Sequence, residues 1–274
     1  MKVKLTTCSV ILAAVALLVP ASATYATVLF QDNFDGAEYD GGFRVGPGVI
    51  PQGIWYVNNK TNGVYSGQPD DRTNVSEEKA LSTSRSLALN VELSTDQAQV
   101  IGVLSSSGSG ATPTTEAVNI RFAFNRSSML SSDVATVFVI RDTSEQNMSV
   151  INIGIDGRID VAFSNGTQEL SPILSDTWYY LSVDMPANPG ASIEYKVSLF
   201  GADGVTLINS VTGITAGTVG VGYNYFSLYN SGQDTPLTTY IDNVSVQTIP
   251  EPSTVGLAVA GVVGTVLLAA RRKN

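Results

Sequence analysis

Residues 151–163, INIGIDGRIDVAF, decide the fold class, because apolar residues alternate with polar or small ones on both sides of the Asp156-Gly157 pair. Alternation of this kind is typical of half-buried β-strands, and Asp-Gly is a frequent turn pair in hairpins. A two-residue turn would place Ile153 opposite an aspartate and mix a core face with a solvent face. A connection one residue longer places Ile153 beside Val161, and burial of apolar side chains favours that register. We therefore predict a β-hairpin with a bulge at its turn.

The same pattern of short strands continues through the middle of the chain. Further segments rich in Val, Ile, Phe and Tyr are separated by Gly, Asn, Asp and Ser, and no stretch keeps a helical period. The region 27–249 is therefore predicted to be one all-β domain, an antiparallel β-sandwich, with residues 43–74 as a long surface excursion and 105–115 as a loop. The further predicted strands are 86–93, 117–124, 135–140, 179–185, 193–200, 223–229 and 240–246.

The charge of the chain is strongly one-sided. It carries 24 acidic and 15 basic residues, for a net charge of -9. Several of the basic residues lie close to the two ends, so the central region is more acidic still. An acidic surface argues against nucleic acid and anionic lipid as partners, and it favours solubility or the binding of cations.

Two residue types that serve many active sites are missing from the predicted domain. The chain has no histidine, and its single cysteine, Cys8, lies in the N-terminal segment. This excludes a Ser-His-Asp triad, thiol catalysis and the usual zinc sites. Glycosidases of this shape are expected to show closely alternating carboxylates on one strand, and the acidic pairs of this sequence do not form such an array. We therefore expect a protein that is not an enzyme.

The first 26 residues have the pattern of an export signal. Two lysines precede an apolar segment, residues 10–19, and small residues allow cleavage after Ala23 or after Ala26. The prediction is that signal peptidase removes this segment and that the mature domain contains no cysteine.

The last 25 residues, 250–274, combine three ordered elements. An extended Pro-Glu-Pro motif comes first, then an uncharged apolar run over 254–270 that is short for a membrane span, then a basic tail. Basic residues beside a span stay on the cytoplasmic side, which predicts the orientation of the helix. The residues concerned are Pro250, Glu251 and Pro252 in the motif, and Arg271, Arg272 and Lys273 in the tail.

This arrangement closely resembles the C-terminal sorting signal of PEP-CTERM proteins, which are exported by an exosortase system in exopolysaccharide-producing Gram-negative bacteria. The resemblance implies an inner-membrane span, transient or permanent, during sorting. It also implies processing at the Pro-Glu-Pro motif by an exosortase, followed by release or attachment at the cell surface or in the extracellular matrix. An ordinary single-span anchor is the alternative.

The domain itself resembles the concanavalin A-like, or laminin G-like, jelly roll. The resemblance lies in the segments DNFD at 32–35, DTWYYLSVD at 176–184 and YIDNVSV at 240–246. It implies that the first and last strands are neighbours and that a structural calcium ion lies near them. Asp32, Asp35 and Asp242 are the carboxylates that would bind this Ca²⁺, an ion that prefers oxygen ligands. Closing turns through the backbone is their alternative role.

Aromatic side chains supply the candidate ligand site. Trp55, Tyr56 and Tyr65 lie in the predicted excursion and could stack on a sugar ring, whereas Trp178 is expected in the core. Our leading hypothesis is an exported, non-catalytic protein that binds extracellular polysaccharide in adhesion or in the exopolysaccharide matrix. The alternatives are a passive matrix protein without a defined ligand and a polysaccharide-cleaving glycosidase or lyase.

Overall fold

The computed structural model describes most of the region from residue 26 to residue 249. Residues Thr27–Ile249 group into one compact unit. The described ranges are 26–35, 55–57, 59–61, 64–66, 72–81, 84–91, 97–104, 114–127, 134–154, 156–188, 190, 192–215, 220–231 and 236–249. The predicted sorting signal, 250–274, and the predicted export signal up to residue 25 lie outside these ranges. Within the described ranges, no helix is long and apolar enough to cross a membrane.

Seventeen strands among the described residues form two antiparallel sheets, which confirms the predicted all-β sandwich. In spatial order, the first sheet contains β15 (Leu207–Ile214), β14 (Glu194–Phe200), β13 (Tyr179–Met185), β8 (Val118–Arg126), β17 (Leu237–Thr248), β6 (Ser86–Val91) and β5 (Thr73–Ser76), with β1 (Val28–Asp32) beside β17. The second sheet contains β12 (Gly166–Glu169), β11 (Ile159–Phe163), β10 (Asn147–Gly154), β9 (Val134–Asp142), β16 (Tyr223–Ser231), β7 (Gln97–Val103), β3 (Asn59–Thr61) and β4 (Val64–Ser66), with β2 (Trp55–Val57) beside β7.

The core lies between the inner faces of the two sheets. Alternate side chains of β8 meet those of β9 and β16, and all of these inward residues are buried. Phe122 of the first sheet packs against Phe138 of the second, with ring centroids 5.1 Å apart. Since stacked sheets are held mainly by such apolar contacts, the period-2 pattern of the sequence fixes which face of each strand is inward.

The first and last strands are neighbours, as the resemblance implied. Val28 lies opposite Gln247 and Asp32 lies opposite Val244 in the β1–β17 ladder. The N–H of Thr248 donates to the carbonyl of Thr27 at 2.8 Å, so the two ends of the sandwich leave it side by side.

The β10–β11 hairpin has the predicted faces but a different register. Ile153 pairs with Ile159 rather than with Val161, and the ladder between the two strands has no bulge. The connection runs from the end of β10 at Gly154 to the start of β11 at Ile159, and Gly154 N donates to Arg158 O at 2.8 Å. Gly157 makes this longer loop possible, because its φ is +84° and a Cβ there would lie 2.4 Å from a backbone oxygen.

The predicted surface excursion is wrong in its central part. Residues 55–57, 59–61 and 64–66 are short strands that extend the second sheet, where β2 pairs with the middle of β7. Each strand has three residues, which is too short for alternation to show above the surrounding Gly, Pro and Asn. Four further strands, β5, β7, β12 and β15, were also missed.

Candidate functional site

The carboxylates that were predicted to bind calcium accept hydrogen bonds that hold neighbouring loops in place. Asp32 accepts hydrogen bonds from the indole N–H of Trp55 and from the N–H of Phe34, both at 2.8 Å. Asp242 accepts from the N–H of Leu81 at 2.9 Å and from that of Asn243 at 2.7 Å. Both carboxylates are buried, and main-chain or indole donors compensate their charge.

Asp35 has a similar role. Its Oδ1 accepts from the N–H groups of Ser84 and Arg85, each at 3.1 Å, whereas its Oδ2 is buried and accepts no hydrogen bond in the described structure. One such oxygen does not make the shell of six to eight that Ca²⁺ takes. The described residues contain no group of three or more acidic side chains that could hold a metal ion. In the described structure the three carboxylates accept hydrogen bonds from loop and indole N–H groups, and the structural calcium ion stays a prediction.

The predicted sugar-stacking residues are separated by the fold. Trp55 is fully buried, with its ring centroid 4.7 Å from that of Phe30 and 5.7 Å from that of Phe226, so its prediction as a surface platform is wrong. Tyr56 points the other way and is 43% exposed. Tyr65 lies in β4, opposite Lys60. The expected core residue Trp178 is only half-buried.

A different cluster lies on the outer face of the second sheet, which carries the side chains that point away from the core. Along β16, Phe226 and Leu228 are buried in the core, so Tyr225, Ser227 and Tyr229 point outward. Arg141 on β9 lies opposite Tyr225, and Gln99 on β7 lies opposite Tyr229. We call these five outward residues, Tyr225, Ser227, Tyr229, Arg141 and Gln99, the tyrosine face.

Arg141 and Tyr225 form the best-defined contact of the tyrosine face. One terminal N–H of the Arg141 guanidinium donates to the Tyr225 hydroxyl oxygen at 2.9 Å, and the guanidinium carbon lies 5.7 Å from the ring centroid. Nε of Arg141 donates to Oδ1 of Asn147 at 2.9 Å, which fixes the plane of the fork. Arginine N–H groups remain on the other terminal nitrogen for an incoming acceptor.

Tyr229 lies at the other end of the cluster. It is half-buried, and burial raises the pKa of its hydroxyl above the usual 10.0, an effect that the positive charge of Arg141 opposes. The side chain therefore keeps its proton at neutral pH. Nε2 of Gln97 donates to Oε1 of Gln99 at 3.0 Å, so amides border this tyrosine.

Small or short side chains lie between the two tyrosines. Ser227 is 1% exposed and its neighbour Val139 on β9 is 2% exposed, although both point away from the core. Outward residues two apart are about 7 Å apart along a strand, which separates the Cα atoms of Tyr225 and Tyr229 by about 13 Å. The order along β16 is therefore large, small, large, and the small side chain is buried.

Sequence reasoning missed this face. The segment 223–229 was recognised as a strand, but its tyrosines gained meaning only once their side of the sheet was known. The spacing of Tyr225 and Tyr229, four residues apart, is the signal that was available, since strand residues separated by an even number share a face. Nothing in the sequence indicates that Arg141 lies beside them.

Comparison with known proteins reveals similarity in fold only. No protein-family model and no curated protein matches the sequence. Among solved structures, the catalytic domain of the glycoside hydrolase family 131 protein from Coprinopsis cinerea is similar, with a TM-score of 0.52, 14% identity, and coverage of 82% of this chain and 95% of that chain. The glycoside hydrolase family 131 beta-glucanase catalytic domain from Podospora anserina has a TM-score of 0.53, 11% identity, and coverage of 84% and 99%.

A sialidase is also similar, with a TM-score of 0.53 and 12% identity over 81% of this chain, which spans only 19% of the sialidase. Two of these three structures are catalytic domains of nearly the same extent as this sandwich. The expectation that the chain is not an enzyme is therefore corrected, because this fold also forms catalytic domains.

Proposed function

We propose that this sandwich is an enzyme that binds and cleaves a polysaccharide on the tyrosine face. The observation that carries the proposal is the hydrogen bond from Arg141 to Tyr225, with Tyr229, which keeps its proton at neutral pH, four residues further along the same strand. This places a cation and two hydroxyl groups capable of proton transfer on the outer face of the second sheet.

The chemistry of the face suits a sugar chain. Pyranose rings present apolar C–H surfaces and hydroxyl groups, which match aromatic rings that carry polar ends. Gln99 offers an amide beside Tyr229, and Asn152 of β10 lies on the same row beyond Val137. Exposed Tyr56 lies opposite Ile101, two strands from Ser227, and would extend the contact toward that edge.

The fold comparison supports the proposal without assigning a substrate. The Podospora anserina domain is described as a beta-glucanase catalytic domain, and its sandwich extends over 84% of this chain. At this level of identity the likeness concerns the fold, so the substrate must come from the face itself.

The place of action follows from the sequence and remains part of the proposal. Export by signal peptidase processing, a membrane span over 254–270 and sorting by an exosortase at Pro250, Glu251 and Pro252 would bring the domain to the cell surface of a Gram-negative bacterium. The export and sorting steps are independent of the tyrosine face and need their own test, the intact mass of the protein recovered from the surface.

The test is to incubate the purified protein with a panel of neutral and acidic polysaccharides and to measure new reducing ends. We expect cleavage of at least one polymer, and loss of that cleavage in Tyr225→Phe. Tyr180→Phe, on the first sheet, is the matched control and should remain active. Saturable binding without new reducing ends from any polymer would contradict the enzymatic proposal.

A further inference from the structure

The acid–base groups available to the tyrosine face are few. The chain has no histidine. At the outward positions of β7, β16, β9 and β10 there is no carboxylate, since Asp142 at the end of β9 is buried and accepts the N–H groups of Ser144 and Gln146. Tyrosine and arginine are therefore the ionisable residues at the centre of this face.

Carboxylates do occur on the same face, but at its far edge. Asp160 on β11 lies directly opposite Glu169 on β12. Because neighbouring strands are about 4.8 Å apart, β11 lies about 14 Å from β16, with β9 and β10 between them. Hydrolysis of a glycosidic bond usually requires two carboxyl groups on either side of that bond. A sugar held between Tyr225 and Tyr229 is too far from this acidic pair.

Resting on the proposed function, we infer that the polysaccharide contains uronate sugars and that the tyrosine face cleaves it by β-elimination. This reaction needs no pair of carboxylates. It needs a cation or hydrogen-bond donors at the sugar carboxylate, a base at the carbon next to that carboxylate, and an acid at the departing oxygen. Arg141, Tyr225 and Tyr229 supply groups of these three kinds.

The step balances without water or any co-reactant. The base removes the proton on C5, the electron pair of that C–H bond forms the C4–C5 double bond, and the C4–O bond breaks. Its electron pair goes to the departing oxygen, which takes a proton. The products are one unsaturated uronate end and one ordinary reducing end, and the two tyrosines recover their protonation states by exchange with water.

The positions of the three side chains assign the donor to the sugar carboxylate, the base and the acid. The Arg141 fork is held by Asn147 and Tyr225 through two of its three nitrogens, and the third nitrogen is left to donate to a carboxylate. The Tyr225 hydroxyl oxygen accepts a hydrogen bond from this guanidinium, so Tyr225 is assigned as the base. Tyr229, which keeps its proton at neutral pH, is assigned as the acid.

The decisive experiment compares each polyuronate with its own neutral derivative. Polygalacturonate and polymannuronate, and the same polymers with their carboxyl groups reduced to alcohols, are incubated with the full chain. We expect ultraviolet absorbance from the new conjugated double bond, in equal amount to new reducing ends, for at least one polyuronate and for neither reduced polymer.

Variants then assign the roles. Tyr229→Phe should lower kcat by about 100- to 10,000-fold, the usual effect of losing an acid or base. Arg141→Lys keeps the charge but not the fork, so it should raise KM for the polyuronate while retaining more activity than Arg141→Gln. Tyr180→Phe again serves as the control that leaves turnover unchanged.

The outcomes separate the two proposals. Cleavage of a neutral glucan, or reducing ends without unsaturated ends, would overturn the uronate inference and leave the proposed enzymatic function intact. New reducing ends from none of the polymers, neutral or acidic, would overturn the proposed function itself. Equal cleavage of a polyuronate and its reduced derivative would remove the assigned role of Arg141.

Discussion

The two outer faces of the sandwich each carry an arginine beside a tyrosine, and the two pairs differ in their neighbours. On the first sheet, Arg121 lies over the rings of Tyr180 and Phe200, with centroid distances of 4.8 and 5.0 Å, and donates to the carbonyl of Gly204. On the second sheet, Arg141 lies over one ring only, that of Tyr225, at 5.7 Å.

The neighbours explain the difference. Residues 201–206 form the β14–β15 turn, which folds back over Arg121, and the Tyr180 hydroxyl accepts a hydrogen bond from Asn243 Nδ2 at 3.1 Å. The first pair is therefore enclosed by aromatic, turn and amide groups of its own sheet. Arg141 donates to Asn147 on β10 and to Tyr225 on β16. The same two residue types thus have different partners on the two faces, and we propose that the second pair meets a ligand.

The largest expected effect is that the two tyrosines separate activity from stability, since each substitution should change only one of them. Tyr225→Phe should lower polysaccharide cleavage by about 100- to 10,000-fold and leave stability nearly unchanged, because it removes a hydroxyl proposed to transfer a proton. Tyr180→Phe should leave cleavage unchanged and cost about 1 kcal/mol, because Asn243 loses its acceptor. Initial rates and urea unfolding measure the two quantities. Equal losses of activity in both variants would break the comparison.

The two arginines should differ in stability, with the larger loss expected for the arginine of the first sheet. Arg121→Gln removes a charged hydrogen bond to Gly204 and two ring contacts, so we expect a loss of about 1–3 kcal/mol in the free energy of unfolding. Arg141→Gln, whose partners lie nearer to solvent, should cost less than about 1 kcal/mol. Thermal unfolding of the two variants side by side measures this. A larger loss for Arg141→Gln would show that the second pair is structural.

A smaller effect is expected from the turn that encloses Arg121. Gly204 has a φ of +67°, and a Cβ there would lie 2.8 Å from a terminal nitrogen of Arg121. Gly204→Ala should therefore cost about 1–2 kcal/mol through the left-handed backbone alone, with added crowding of the guanidinium. Gly201→Ala is the matched control in the same turn, because its nearest neighbour is at an ordinary distance of 3.6 Å. If the control loses as much stability, the turn does not act through Arg121.

The smallest effect concerns the pH dependence of this turn. Asp203 accepts hydrogen bonds from the side chain of Thr206 and from the N–H groups of Thr206 and Val205, and these lower the pKa of its carboxyl from 3.8 to about 2. Since the folded pKa lies below the unfolded one, this contribution to stability is complete above 3.8 and disappears as the pH falls through about 2. Asp203→Asn should flatten the change of the unfolding midpoint across that window. An unchanged slope would contradict this assignment.

The sequence predicted the fold well where segments were long and alternating. All nine predicted strands exist, and the inward faces of the 151–163 hairpin are right, because burial depends on the period of 2 and not on the turn. The turn itself was wrong, and it makes a contact outside the hairpin: the Ile173 N–H donates to the Gly157 carbonyl at 2.9 Å. Short edge strands such as β2 were missed for lack of pattern.

The candidate site was predicted poorly, because the partners of its residues are set by contacts between segments that are distant in the sequence. Trp55 and Asp32 carried the right chemistry for a sugar or an ion, but their partners in the fold are each other, through a buried indole hydrogen bond. Tyr56, the next residue after Trp55, is exposed only because successive strand residues point to opposite faces. Composition can suggest a binding residue, but it does not say which side of the sheet the residue occupies.

By itself the sequence determined an all-β sandwich, a domain without cysteine and a chain without histidine, because these follow from period and composition. Only the tertiary structure decided which polar groups are consumed internally and which meet at the surface. Arg141 and Tyr225 are 84 residues apart in the chain and become hydrogen-bonded neighbours when β9 pairs with β16. Pairing between distant strands is set by the packing of the whole core, so no local pattern could have brought them together.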